Sequence, residues 1–177
     1  IDEKTVAFIE TRREVNKILL EDSFVDLVIA RGGYNLVKAV RKRSVIPVLA
    51  HSAGGARIYI DQSADLKMAR KIIINAKINK PSACNSLDTI VIHRAIAKIL
   101  IPLLIKDLSK HGVKIVNGLA AYQREWLDLK VALKVVKNLK EAVSFINHYG
   151  KKHTEGIIAS NTKTIRMFTK AIDAAAL

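Results

Sequence analysis

Apolar residues recur along this chain in two alternating rhythms, and the alternation predicts layered α/β structure. Short aliphatic and β-branched runs at 25–30, 46–50, 58–60, 89–93, 113–116, 129–136 and 156–159 read as strands. Between them, apolar positions three and four apart predict helices over 35–43, 64–78, 94–110, 139–149 and 162–172. An earlier helix starts after Thr11-Arg-Arg-Glu14, which has capping-box spacing and is followed by the apolar face Val15, Ile18 and Leu19. Gly32-Gly33 and Gly54-Gly55 read as turns, Pro81 as a helix stop, and Gly112 and Gly150 as residues just past helix ends. Pro102 is expected to split its helix or to open the second part. Strands that alternate with helices imply a largely parallel sheet covered by helices.

With 177 residues, half of them hydrophobic, the chain can bury the core of one domain or of two incomplete lobes. No apolar run approaches the about 18 residues of a membrane span, because 96–108 is interrupted by Lys98, Pro102 and Lys106. A soluble protein is expected. The first residues do not read as a charged-then-apolar signal segment, and one cysteine cannot form an internal disulfide, so a cytoplasmic location is expected. The first residue, Ile1, reads as belonging to a piece of a longer protein.

The formal charge of +14 would attract phosphates, nucleic acid or acidic membranes. The cations are spread over helices and loops, however, and only 5% of residues are aromatic. That distribution favours solvated faces over a nucleic-acid site, with a smaller place for an anionic ligand such as an acyl phosphate or a dinucleotide. His51, His93, His111, His148 and His153 lack the helical pairing of a metal site, so no metal is expected. No G-x-S-x-G elbow points to a serine hydrolase. Ala30-Arg-Gly-Gly33 joins a strand to a helix, where bare N–H groups can cradle a phosphate. It lacks the spacing of either glycine-rich phosphate motif, so pattern alone favours an ordinary turn.

Cys84 is the one residue whose placement suggests chemistry. A lone cysteine is commonly a small buried hydrophobe, but this one falls in a polar connection between the 64–78 helix, stopped by Pro81, and the 89–93 strand. A helical turn over 84–88 would aim free N–H groups at the sulfur, and Lys77 and Lys80 would add positive charge, all favouring the thiolate. A nucleophile is the reading that results.

Asn75-Ala-Lys77, Pro81-Ser-Ala-Cys84-Asn85 and Asp88-Thr89 closely resemble the nucleophile segment of the gamma-glutamyl phosphate reductases, or glutamate-5-semialdehyde dehydrogenases, in the aldehyde dehydrogenase superfamily. The resemblance runs nearly end to end. It continues through Asp26-Leu-Val-Ile-Ala-Arg-Gly-Gly33, Ile46-Pro-Val48, Ile58-Tyr-Ile-Asp61, Ala64-Asp-Leu66, Glu125-Trp-Leu-Asp-Leu129, Asn147-His-Tyr-Gly150 and His153-Thr-Glu155.

The fold it implies is an αβα three-layer catalytic domain over 56–177, preceded at 1–55 by the end of a Rossmann-like cofactor domain. The implied reaction is NADPH-dependent reduction of L-glutamyl 5-phosphate to glutamate-5-semialdehyde, in proline biosynthesis, through a thioester on Cys84. Ser82 and Asn85 would support the nucleophile loop. Arg31, Gly32 and Gly33 would lie against the cofactor pyrophosphate, and Glu125 would hold the nicotinamide ribose. His51 falls in a segment near the active site and is expected, with Arg57, on the substrate. Alternatives are a related thioester-forming dehydrogenase, the reductase half of a bifunctional chain that also carries a glutamate kinase, and a basic nucleic-acid-binding module.

Four positions depart from the family pattern: Ala56-Arg57 stands where Cys-His is usual, Lys130 replaces an apolar strand residue, and Asp88 replaces Glu. Arg57 is expected to meet the acyl phosphate. The family's preceding cofactor-binding half and its last strands and oligomerisation segment are not matched, so the full-length protein is expected to be a homo-oligomer and this chain alone to turn over negligibly.

Overall fold

The structure, a computed structural model, describes residues 5–50 and 54–177. The chain forms two compact units, one ending at Ala53 and one beginning at Gly54.

In the first unit, α1 (Arg12–Ile18) starts on the expected capping box. Thr11 Oγ1 accepts the Glu14 N–H at 3.2 Å, and Glu14 accepts the Thr11 N–H at 3.1 Å. Strand β1 (Val28–Ala30) leads into α2 (Tyr34–Arg43) and then β2 (Val48–Ala50), which pairs parallel with β1. Val37 and Val40 of α2 pack on Leu19 and Ala30. The first strand begins three residues later than its apolar run, because Val25 donates to the Glu21 carbonyl and continues a turn.

The second unit is a five-stranded, fully parallel sheet of order β5-β6-β4-β3-β7. Its strands are β3 (Ala56–Ile60), β4 (Leu87–His93), β5 (Lys114–Val116), β6 (Lys130–Val136) and β7 (Thr154–Ile158). Helices α3 (Leu66–Ile78) and α4 (Arg94–Lys110) cover one face, where Ala69, Ile73, Leu100 and Leu104 meet Ile60, Ile90 and Ile92. Helices α6 (Leu139–Tyr149) and α7 (Thr162–Ala171) cover the other, where Phe145, Ile146 and Phe168 meet Tyr59 and Val91. Alternation along β3 and β4 therefore feeds two cores, and all seven residues of β4 are buried.

Two further details differ from the sequence reading. Helix α4 runs unbroken through Pro102. Pro102 and Lys98, whose carbonyl loses its helical partner, are both exposed, so a proline here leaves no buried residue short of a hydrogen bond. The short helix α5 (Leu119–Tyr122) was not foreseen, since four residues are too few to show a period. Among the described residues, no helix is long and apolar enough to cross a membrane.

Candidate active site

Cys84 lies exposed in the connection from α3 to β4. That connection consists of turns, with the Ala83 N–H donating to the Lys80 carbonyl at 3.0 Å and the Ser86 N–H to the Ala83 carbonyl at 2.9 Å. Extended pairing takes over at Leu87, opposite Ala56. The helical turn expected over 84–88 is therefore absent, because Leu87 and Asp88 belong to the sheet. Lys77, expected to add charge beside the sulfur, is instead fully buried. Its ammonium donates to Ser86 Oγ at 3.3 Å and pairs with Asp88 Oδ1 at 3.9 Å. Ser82 and Asn85 flank the cysteine as exposed residues whose side chains hydrogen-bond no other described residue.

Backbone contacts hold the cysteine. The Gly55 N–H donates to the Cys84 carbonyl, and the Ala56 N–H donates to the Ser86 carbonyl at 3.0 Å. Gly54 is pressed so closely on the loop that a Cβ there would strike the Cys84 carbonyl oxygen. The same Cβ would stand 2.8 Å from the Cys84 Cβ and 2.7 Å from Glu125 Oε1. At Gly55, where φ is +108°, a Cβ would strike Asp88 Oδ2. Only glycine fits this approach.

Glu125 is thereby brought next to Cys84. Its carboxylate makes no hydrogen bond or ion pair among the described residues, so both oxygens are available as acceptors. It stands on an irregular segment between α5 and β6 in which Leu127 adopts the left-handed conformation, φ +48°. The next residue, Trp126, donates its backbone N–H to Asp88 Oδ1 at 3.1 Å.

Beneath this surface lies a buried charge cluster of Arg57, Lys77, Asp88 and Glu155. Arg57 Nη2 donates to the Tyr149 carbonyl at 2.7 Å and the Tyr122 carbonyl at 3.2 Å, while Nη1 faces Glu155 Oε1 at 3.5 Å. Burial lowers the Arg57 pKa, opposed by the Glu155 and Asp88 carboxylates. Burial pushes Asp88 up to about 6, opposed by the Trp126 N–H and by Lys77 and Arg57. It pushes Glu155 up to about 7, opposed by Arg57. Arg57 was expected to meet an acyl phosphate; with no exposed surface and partners inside the fold, it ties β3 to the ends of α5 and α6.

Arg31, Gly32 and Gly33 belong to the first unit, where they join β1 to α2 and are all exposed. Gly33 is the N-cap of α2, offers no side-chain cap, and has open space around its Cα. The first N–H groups of α2 thus have no side-chain acceptor at the cap. His51 lies outside the described residues.

Sequence reasoning missed the roles of Gly54, Gly55, Asp88 and Glu155. One signal was available: Ala69, Ile73 and Lys77 form a four-residue series on the buried face of α3, and a cation on such a stripe requires a buried anion.

No protein-family model matches the chain. It is 37% identical over 194 residues to a gamma-glutamyl phosphate reductase of Caldanaerobacter subterraneus subsp. tengcongensis, a match covering 100% of this chain and 47% of that protein. The crystal structure of gamma-glutamyl phosphate reductase from Thermotoga maritima aligns with a TM-score of 0.94 at 37% identity, over 98% of this chain and 46% of that one. An NADP-dependent glyceraldehyde-3-phosphate dehydrogenase from Bacillus halodurans, complexed with NADP, aligns with a TM-score of 0.77 at 13% identity, over 94% of this chain and 47% of that one, and shares the fold. The architecture is aldehyde dehydrogenase-like. The chain spans about half the length of the curated relatives it matches.

Proposed function

We propose, for a chain homologous from end to end to one half of the gamma-glutamyl phosphate reductases, that it carries the nucleophile of such a reductase. The observation that carries this reading is the closeness, across Gly54, of an exposed Cys84 and the Glu125 carboxylate, which has no hydrogen bond or ion pair among the described residues. The reaction is reduction of L-glutamyl 5-phosphate to glutamate-5-semialdehyde, the step such a reductase contributes to proline biosynthesis.

Cys84, as thiolate, attacks the acyl carbon and expels phosphate, leaving a thioester. The Cys84 N–H donates to no described residue, and we assign it to the oxyanion that forms at each addition. When the hydride acceptor carbon becomes a thiohemiacetal, its collapse returns the electron pair to sulfur and releases the aldehyde. No water-activating carboxylate is required, because water attacks nothing in this direction.

A nicotinamide dinucleotide would supply the hydride when bound. Taken by itself, the first unit offers the uncapped start of α2 at Gly33 as a donor set for a pyrophosphate, with Arg31 as a nearby cation. Taken by itself, the second offers Glu125 as an acceptor for ribose hydroxyls. We assign NADP(H) as the cofactor, 1–55 to a cofactor-binding domain and 56–177 to the catalytic one. The full-length protein is read as a cytoplasmic homo-oligomer, and the isolated chain as inactive.

The test is the reverse reaction of the full-length protein with glutamate-5-semialdehyde, phosphate and NADP. Cys84→Ala should abolish turnover, and equal rates would remove Cys84 from the mechanism.

A further inference from the structure

Glu125 lacks any hydrogen bond or ion pair of its own among the described residues, so its position depends on the backbone that carries it. That backbone is neither helix nor strand, and it includes a leucine at positive φ, a conformation that persists only where neighbours hold it. Among the described residues, one side chain provides such a hold within 124–127: Asp88 Oδ1 accepts the Trp126 N–H at 3.1 Å. Asp88 is itself fixed at the start of β4, four residues after Cys84, with only 1% of its surface exposed. Its second oxygen, Oδ2, has no hydrogen-bond partner among the described residues and abuts Gly55, whose N–H grips the Cys84 carbonyl. One buried carboxylate therefore touches both the segment carrying Glu125 and the turn holding Cys84.

We propose that Asp88 is a positioning residue that sets Glu125 beside Cys84 by accepting the Trp126 N–H, and so governs affinity for the nicotinamide cofactor. The proposal rests on the reading of Glu125 as the residue that holds the nicotinamide ribose. The acceptor is what matters in it, more than the charge. An asparagine keeps an oxygen for Trp126, whereas an alanine leaves that part-buried N–H without a partner.

Lys77 lies 3.9 Å from Asp88, so a change at Asp88 alone leaves a buried cation and can impair folding. The comparison is therefore made in a background that lacks this cation. Lys77→Met combined with Asp88→Asn is set against Lys77→Met combined with Asp88→Ala, both in the full-length protein.

Two measurements are taken on each: steady-state kinetics with varied NADP in the reverse assay, and amide hydrogen exchange over 119–130. In the alanine variant KM for NADP should rise about tenfold relative to the asparagine variant with kcat within about twofold, and exchange at Trp126 should accelerate at least tenfold. Equal KM values and equal exchange in the two variants would overturn the proposal, as would a loss confined to kcat. A Cys84→Ala control separates the two levels of the argument. If that control retains full activity, the reductase reading fails, and the exchange measurement still decides whether Asp88 holds the Trp126 segment.

Discussion

Glu125 Oε1 and the Cys84 Cβ lie 2.7 and 2.8 Å from one point, the place a Cβ on Gly54 would occupy. A group expected to bind a ribose and a group expected to attack an acyl carbon thus share a glycine as their spacer. Gly54→Ala should push both apart, since the added methyl would also strike the Cys84 carbonyl. We expect kcat/KM of the full-length protein to fall about a hundredfold, the scale on which a misplacement of about 1 Å acts. Overpacking should cost about 1–3 kcal/mol of stability. Unchanged kinetics in a folded Gly54→Ala protein would show that this spacing is immaterial.

The Arg57 guanidinium binds two carbonyls and a carboxylate inside the fold. Arg57→Met should destabilise the protein by about 3–5 kcal/mol in urea unfolding, because it strands Glu155 and the carbonyls of Tyr122 and Tyr149. Adding Glu155→Gln should recover part of that loss, since the uncompensated carboxylate is then gone. A rise in KM for the acyl phosphate, with stability intact, would restore the substrate role expected from sequence.

Stability should also fall as pH rises through mildly acidic values. The folded state raises Glu155 from about 4.5 to about 7 and Asp88 from about 3.8 to about 6. Between those limits it binds more protons than the unfolded chain, so the contribution is complete below about pH 4 and lost by about pH 7. The contribution of each group changes by about 3 kcal/mol across its window. Glu155→Gln should flatten the part between pH 4.5 and 7 in a series of urea titrations. A slope unaltered by that substitution would assign the effect to other groups.

The architecture was largely legible because each element carries its own period. Ile58, Ile60, Ile90 and Ile92 face one core, with Tyr59 and Val91 facing the other, as alternation requires. The site was legible only in outline. The placement of Cys84 and the glycine pair at 54–55 could be read, but the hydrogen bond from Gly55 to Cys84 joins residues 29 apart and leaves no local trace. Lys77 and Arg57 were misassigned to the surface chemistry for a related reason. A charge reads as exposed until its partner is known, and Asp88 and Glu155 become partners only once β3, β4 and β7 lie side by side. The helical turn expected at 84–88 failed because pairing with Ala56 extends β4 back to Leu87.

The thioester on Cys84 can be observed directly by withholding phosphate from the reverse reaction. Full-length protein mixed with glutamate-5-semialdehyde and NADP alone should release a burst of NADPH no larger than one per Cys84. Mass spectrometry of the quenched digest should then find the glutamyl group on the peptide containing Cys84, and added phosphate should discharge it. A burst of the same size from the Cys84→Ala protein, or an acyl group found on another residue, would contradict the assignment of Cys84 as the nucleophile.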